Sequence, residues 1–299
     1  MDALRTAFGE RLLTGEPLAK HTSSRIGGPA DYLITARSAA DLQSAARIAW
    51  DRGLPLTVIG GGSNILISDK GIRGLTIINR AADHSHTGTI ITAESGLASI
   101  RLARLCARYG LAGFEWAIGV PGTLGGAVVG NAGAHGGDMA GSVVTVEAIT
   151  PAGPLTWTND QLAFDYRSSR SKREGLPCVI TLVVLKFEAG DPDAISARMG
   201  EFNAYRKRTQ PAGATLGSTF KNPPGAHAGR LIDVAGLKGT QIGGARISEK
   251  HANFILNMGG ATAADVMALA DLARETVAKQ FGVTLELEIE PVGVWEQPR

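Results

Sequence analysis

Between residues 119 and 137 the chain carries eight glycines, with valine, alanine and leucine between them: GVPGTLGGAVVGNAGAHGG. A glycine inside a regular element costs about 0.5–1 kcal/mol relative to alanine, so no ordinary core helix or strand is expected here. A merely flexible loop fits no better, because Val120, Leu124, Val128 and Val129 require burial. The pattern suits a chain lying flat against a large planar or polyanionic ligand, where a missing Cβ lets the backbone approach. Residues 116–137 are also uncharged, but the glycines and Pro121 make a poor bilayer helix. Glycine is abundant throughout: 39 of 299 residues, about 13% against a usual ~7%. Proline does not follow it and no G-X-Y period appears, which excludes a collagen and argues against disorder.

The remaining composition is that of a globular protein able to bury a core, 44% apolar and 19% charged. A formal net charge of +2 with no basic stripe argues against nucleic-acid binding. The densest basic cluster, Arg206, Lys207 and Arg208, reads as a solvated helix end. Cys106 and Cys178 sit apart among apolar neighbours and read as buried free thiols. The N-terminus mixes charges in a way unlike a signal peptide. A soluble cytoplasmic protein, without membrane insertion, is expected.

Helices are predicted over 2–13, 38–53, 97–109, 191–208 and 262–280, with Ser38/Asp41 and Thr262/Asp265 as capping boxes and Gly53, Gly110 and Gly282 as stops. A short helix is expected near 229–234. Strands are expected at 55–59, 75–78, 89–92, 143–149, 179–187, 253–256 and 283–289, with a short apolar run at 65–67. The composition shifts near 190–212, where Gln210-Pro211-Ala212-Gly213 reads as a hinge.

Five motifs carry chemistry. Gly60-Gly61-Gly62-Ser63-Asn64 follows a strand and presents unobstructed backbone N–H groups, as a diphosphate requires; alone it reads equally as a tight turn. It is neither a Rossmann fingerprint nor a P-loop. The second motif is the segment 119–136. Tyr166-Arg167-Ser168-Ser169 sets an arginine among hydroxyls, able to clamp a carboxylate or simply to lie at the surface. Gly217-Ser218-Thr219-Phe220-Lys221-Asn222-Pro223 offers a hydroxyl, a cation and an amide, or an ordinary Gly-Ser turn. Strand alternation would put Glu286, Glu288 and Glu290 on one face, a solvated edge unless one of them turns toward a cleft. His84 and His86 lack a third ligand, so no metal is expected, and His251 reads as a hydrogen-bonded packing residue.

In order along the chain, SRIGGPA (24–30), IGGGSN (59–64), the 119–136 segment, YRSS (166–169), GSTFKNP (217–223), AGRLIDVAGLKG (228–239), ISEKHANF (247–254) and LELEIEPVG (285–293) resemble the UDP-N-acetylenolpyruvoylglucosamine reductases, flavoenzymes of cell-wall precursor synthesis. The resemblance implies an α+β fold: a vanillyl-alcohol-oxidase-type (PCMH-type) FAD-binding domain in two subdomains over 1–200, core 24–188, then a smaller α/β substrate-binding domain over 201–299 ending in a catalytic strand. It implies non-covalent FAD, NADPH as co-substrate, a monomer, and reduction of UDP-N-acetylglucosamine enolpyruvate to UDP-N-acetylmuramate. It places Arg167, Ser218 and Glu288 at the catalytic positions. Gly60, Gly61, Gly62, Ser63, Asn64, Pro121, Gly122, Thr123, Gly126, Ala127, Asn131 and Gly133 fall at the cofactor, and Tyr166, Arg167, Lys221 and Asn222 at the substrate.

The implied chemistry builds negative charge on the substrate carboxylate as an enediolate. Arg167 is suited to hold that charge, and Ser218 to return a proton to the α carbon, with Lys221 supporting the alkoxide. Glu288 helps only when protonated, so a pKa raised by burial and by the anionic substrate is expected. The chain departs from the family's pattern at Thr209 (a lysine), Glu290 (an arginine) and His135 (a tyrosine), with Arg208 or Lys207 as candidates to replace the first. The short Tyr166–Ser218 spacing points to the subgroup without an extra tyrosine-bearing loop. Rival readings are another flavin oxidase of the same fold, a non-catalytic flavin- or sugar-nucleotide-binding module, and a colourless anion-binding protein.

Overall fold

The computed structural model describes residues 2–295. The described residues form two compact units, each assembled from several segments: residues 2–13, 33–61 and 74–206 in the first, and 14–32, 62–73 and 207–295 in the second. Helices and strands are mixed throughout, as the α+β expectation requires.

In the first unit, strand Leu56–Ile59 runs parallel to Ile72–Asn79, pairing Leu56 with Leu75 and Ile59 with Ile78. Helix Ala39–Asp51 begins as its sequence dictates, with Ser38 Oγ accepting the Asp41 N–H at 3.1 Å. It buries Leu42, Ala45, Ala46 and Ala49, one stripe at helical spacing. A five-stranded antiparallel sheet follows in the order Gly153–Thr158, Val143–Thr150, Val179–Lys186, Ile90–Glu94, His84–Thr87. Helix Ser99–Tyr109 stops at Gly110, φ 64°, a left-handed cap that favours glycine. Phe114, Trp116, Leu124, Val128, Val146 and Val183 form much of this unit's core.

The second unit holds an antiparallel sheet in the order Ala214–Ser218, Phe254–Asn257, Ala245–Ile247, Gln241–Ile242. Ile65–Ile67 pairs in parallel with Glu290–Val292. Helix Ala263–Phe281 starts at a complete capping box, Thr262 with Asp265, and ends at Gly282. Asp69 adds to the cap, its carboxylate accepting from Ala263 and Ala264 at 2.8 and 3.1 Å. Phe220, Ile232, Ile247, Leu269, Val277, Leu285 and Ile289 fill the core beneath.

Three expectations need correction. The helix predicted over 2–13 ends at Phe8, because Gly9 takes φ +53° and the chain turns through Gly9–Arg11 into strand Leu13–Pro17. The glycine segment contains a helix after all, Leu124–Val129. Leu124, Ala127 and Val128 are buried, and its first N–H groups are accepted by Leu97 O and Ser95 O at 2.9 and 2.8 Å. Tertiary burial outweighs poor propensity there. The last strand is Glu290–Val292 rather than 283–289. Residues 283–289 make only an isolated bridge, Leu287 to Phe220, so no ladder fixes a common face for the glutamates. Among the described residues no helix is long and apolar enough to cross a membrane.

Thr262→Ala should lower stability by about 1 kcal/mol, read from chemical denaturation. The Thr262 N–H, aided by that of Gly244, holds the Asp265 carboxyl below its ordinary range. Its folded pKa lies under its unfolded one, so the stabilisation is complete above about pH 4 and is lost as acid protonates the group. The difference in Tm between wild type and Asp265→Asn should therefore shrink between about pH 6 and about pH 3.

Candidate active site

In the first unit the loop after strand Leu56–Ile59 opens with Gly60-Gly61 and lies against Gly122-Thr123. A Cβ on Gly60 would land on Thr123 Oγ1, and one on Gly61 would stand 2.7 Å from the Gly122 Cα. Arg80 Nη1 pins the loop by donating to Gly60 O at 2.7 Å. The loop continues into the second unit, where Gly62 is buried at φ +61° and donates to no acceptor among the described residues. Gly61 N–H likewise has no protein acceptor among the described residues. Close-set main-chain donors left without protein partners are what an anionic group requires. Ser63 follows, and Asn64 carries Nδ2 to Glu288 O at 2.9 Å while its own carbonyl accepts the Glu290 N–H at 2.8 Å.

Along the glycine segment, Pro121 is exposed, Gly122 half-buried, and Thr123 and Ala127 are buried. Gly126 is exposed inside the short helix, and a Cβ there would meet nothing within 4 Å. No packing within the protein explains that glycine. Gly133 pairs with Asp138 in a two-residue ladder. Asn131 is 5% exposed, and its amide is fully engaged inside the protein. Its Nδ2 donates to Asp165 O at 3.1 Å and Asp138 Oδ2 at 3.2 Å, and its Oδ1 accepts the Ala140 N–H at 3.1 Å. Its contribution is to hold the turn that follows Asp165.

That turn carries Tyr166 and Arg167 at its tip, closed by reciprocal Asp165–Ser168 backbone bonds of 3.0 and 3.1 Å. Arg167 sits at φ +54°, a left-handed conformation that costs a non-glycine residue energy and concentrates at functional sites. Its guanidinium lies 5.5 Å from the Tyr166 ring, which is 51% exposed. Ser169 anchors the turn by donating to Val129 O at 2.7 Å, at the end of the glycine-segment helix. His135, also left-handed at φ +53°, stacks on Phe202 at 4.2 Å and meets Tyr205 edge-on at 5.6 Å. Burial, then the charges of Arg206 and Arg198, hold it below the ordinary histidine range.

In the second unit a register irregularity between Thr215 and Ser218 precedes the GSTFKNP turn, and Gly217 takes φ +81° there. Ser218 is half-buried, and its hydroxyl has no hydrogen-bond partner among the described residues. Thr219 O accepts the Glu288 N–H at 2.8 Å, and the Lys221 N–H donates to Glu286 O at 2.9 Å. The glutamates separate: Glu286 is exposed and paired with Lys221 Nζ at 3.2 Å, while Glu288 is half-buried. Asn222 Oδ1 accepts the Ala228 N–H at 3.0 Å, capping helix Ala228–Val234. Thr209 ends helix Pro192–Thr209, and the Lys207 carbonyl accepts from Lys250 Nζ at 2.7 Å. His251 is held below its ordinary range by burial, and its Nδ1 accepts the Asn253 N–H at 3.3 Å. No group of three or more His, Cys, Asp or Glu residues able to hold a metal is found among the described residues. His86 stacks on Tyr109 at 4.2 Å.

Two family models match the chain. One is described as FAD binding domain, over residues 30–159, and the other as UDP-N-acetylenolpyruvoylglucosamine reductase, C-terminal domain, over 209–292. The UDP-N-acetylenolpyruvoylglucosamine reductase of Halalkalibacterium halodurans is 42% identical over 297 residues, 98% of both chains. That of Chloroflexus aggregans is 44% identical over 286 residues, 93% of this chain and 96% of its own. The crystal structure of the enzyme of that name from Thermus caldophilus matches with a TM-score of 0.80 at 35% identity, covering 94% of this chain and 97% of its own. The flavin-fold expectation for the N-terminal part stands on these matches.

Gly126→Ala adds a methyl to open space. The apoprotein should melt at an equal or higher temperature, since alanine favours a helix over glycine by about 1 kcal/mol. Its affinity for FAD, read by titration of flavin fluorescence, should fall. Unchanged affinity would remove this helix from the cofactor's contacts.

Proposed function

The chain belongs to the UDP-N-acetylenolpyruvoylglucosamine reductase family, and from that premise we propose that it reduces UDP-N-acetylglucosamine enolpyruvate to UDP-N-acetylmuramate, with NADPH as reductant and FAD as carrier. The observation that carries this reading is the GSTFKNP turn. It holds a hydroxyl with no partner among the described residues, one residue from the carbonyl that fixes Glu288.

FAD would be held by Gly60, Gly61, Gly62, Ser63 and Asn64 and by Pro121, Gly122, Thr123, Gly126, Ala127 and Gly133, with Asn131 supporting from behind. The N–H groups of Gly61 and Gly62 and the open face of Gly126 fit such a group. Bound there, FAD supplies the two-electron link between NADPH and the substrate double bond. On this reading residues 1–200 serve the flavin and 201–299 the substrate, in a monomeric cytoplasmic enzyme of peptidoglycan precursor synthesis that supports cell shape and division.

Arg167 grips the substrate carboxylate through two parallel N–H donors. Charge grows on that carboxylate as it becomes an enediolate, so a fixed guanidinium stabilises the transition state more than the ground state. Glu288 assists as a protonated acid, because an ionised carboxylate would repel the enediolate. Ser218 delivers its proton to the α carbon, a strong base in this form. Lys221, already charge-paired with Glu286, supports the serine oxygen left behind. Tyr166 and Asn222 line the substrate side.

Ser218→Ala should still let NADPH bleach the flavin, but turnover should fall by about 10²–10⁴-fold, the range for general acid catalysis. Turnover near wild type would end the proton-donor role. Arg167→Lys should lower kcat by about 10²-fold or more, since an ammonium cannot reproduce the fork. An unchanged kcat would take Arg167 out of the transition state.

A further inference from the structure

Asn253 lies outside every role assigned above, yet it governs the backbone that carries Ser218. It is 3% exposed, immediately before strand Phe254–Asn257. Its Oδ1 accepts the Phe220 N–H at 2.9 Å and its Nδ2 donates to Phe220 O at 2.8 Å. Its main-chain carbonyl accepts the Thr219 N–H at 2.7 Å. One residue therefore satisfies three backbone groups of the two residues that follow Ser218.

The geometry explains why a side chain is needed. The ladder between Ala214–Ser218 and Phe254–Asn257 is irregular after Thr215, and its last pair is Ser218 with Phe254. Beyond that pair the amide of Asn253 stands in for the missing strand neighbour, filling both hydrogen-bonding positions of Phe220. The Thr219 carbonyl meanwhile accepts the Glu288 N–H at 2.8 Å. Serine and glutamate are thus referenced to each other through Thr219, and Thr219 is referenced to Asn253. The Ser218 hydroxyl has no bond of its own within the described residues, so its place is set by the backbone alone.

We propose that Asn253 is a positioning residue for proton delivery: its clamp on Phe220 and Thr219 sets where the Ser218 hydroxyl stands relative to Glu288. The inference rests on the reading of Ser218 as proton donor. A misplacement of about 1 Å is enough to slow an oriented step by about 10²-fold.

The test uses the flavin-loaded full chain. Asn253→Asp keeps the shape and the acceptor but turns an oxygen toward Phe220 O in place of Nδ2. NADPH should bleach its flavin at the wild-type rate. Reoxidation by UDP-N-acetylglucosamine enolpyruvate should slow by about 10²-fold, with a larger solvent deuterium isotope effect and little change in affinity for the nucleotide. Asn253→Gln, which retains both amide groups on a longer arm, should show the same selective slowing and serves if the aspartate variant does not fold. Ser218→Ala is measured alongside. Slow reoxidation in Ser218→Ala but wild-type reoxidation in both Asn253 variants overturns the positioning role. So does equal slowing of both half-reactions, which marks a merely structural residue. Wild-type reoxidation in Ser218→Ala overturns the proton-donor reading itself.

Discussion

Two stretches of main chain meet in the first unit at a separation that admits no side chain, Gly60-Gly61 against Gly122-Thr123. Everything proposed for the flavin side follows from that contact. In the loop that carries Gly60-Gly61 the N–H groups of Gly61 and Gly62 have no protein acceptor among the described residues, and the segment that carries Gly122-Thr123 leads into a helix whose exposed Gly126 faces open space. The same segment ends in Asn131, which holds the Tyr166–Arg167 turn through Asp165. A glycine requirement at one loop thus reaches, through a helix and one amide, to the arginine assigned to the substrate carboxylate.

The second unit solves a different problem. It must hold at a defined place a serine hydroxyl that has no partner among the described residues, so the hydroxyl is not anchored there by hydrogen bonds of its own. The chain does so through neighbouring backbone: Thr219 bonded on one side to Asn253 and on the other to Glu288, and Lys221 bonded to Glu286. Buried polar groups left unpaired are costly, so such a turn is stable only when each of its amides finds a partner. Here Asn253 supplies two with one side chain.

Much of this was legible in the chain. The capping signals at Ser38 and Thr262 and the glycine stops mark real helix ends, because caps act locally. The ordered motifs pointed to the family, and the glycine runs pointed to close backbone approach. What stayed hidden depends on distant partners. The helix Leu124–Val129 exists because residues 95 and 97 accept its first N–H groups. Residues 283–289 alternate like a strand but meet only a single bridge partner. Nothing local says that 14–32 and 62–73 pack with 207–295. Asn131 matched a cofactor position by motif, yet its amide faces inward. Asn253 lies inside the ISEKHANF motif (247–254), but nothing in that motif says that its amide reaches Phe220, 33 residues away along the chain.

The central claim is tested most directly by anaerobic titration of the purified protein, followed by visible absorbance. A yellow flavin spectrum is expected, bleached by one equivalent of NADPH and restored by one equivalent of UDP-N-acetylglucosamine enolpyruvate, with a product heavier by two hydrogens. A protein that takes up no flavin, or a bleached flavin that the enolpyruvyl nucleotide leaves unchanged, would contradict the account.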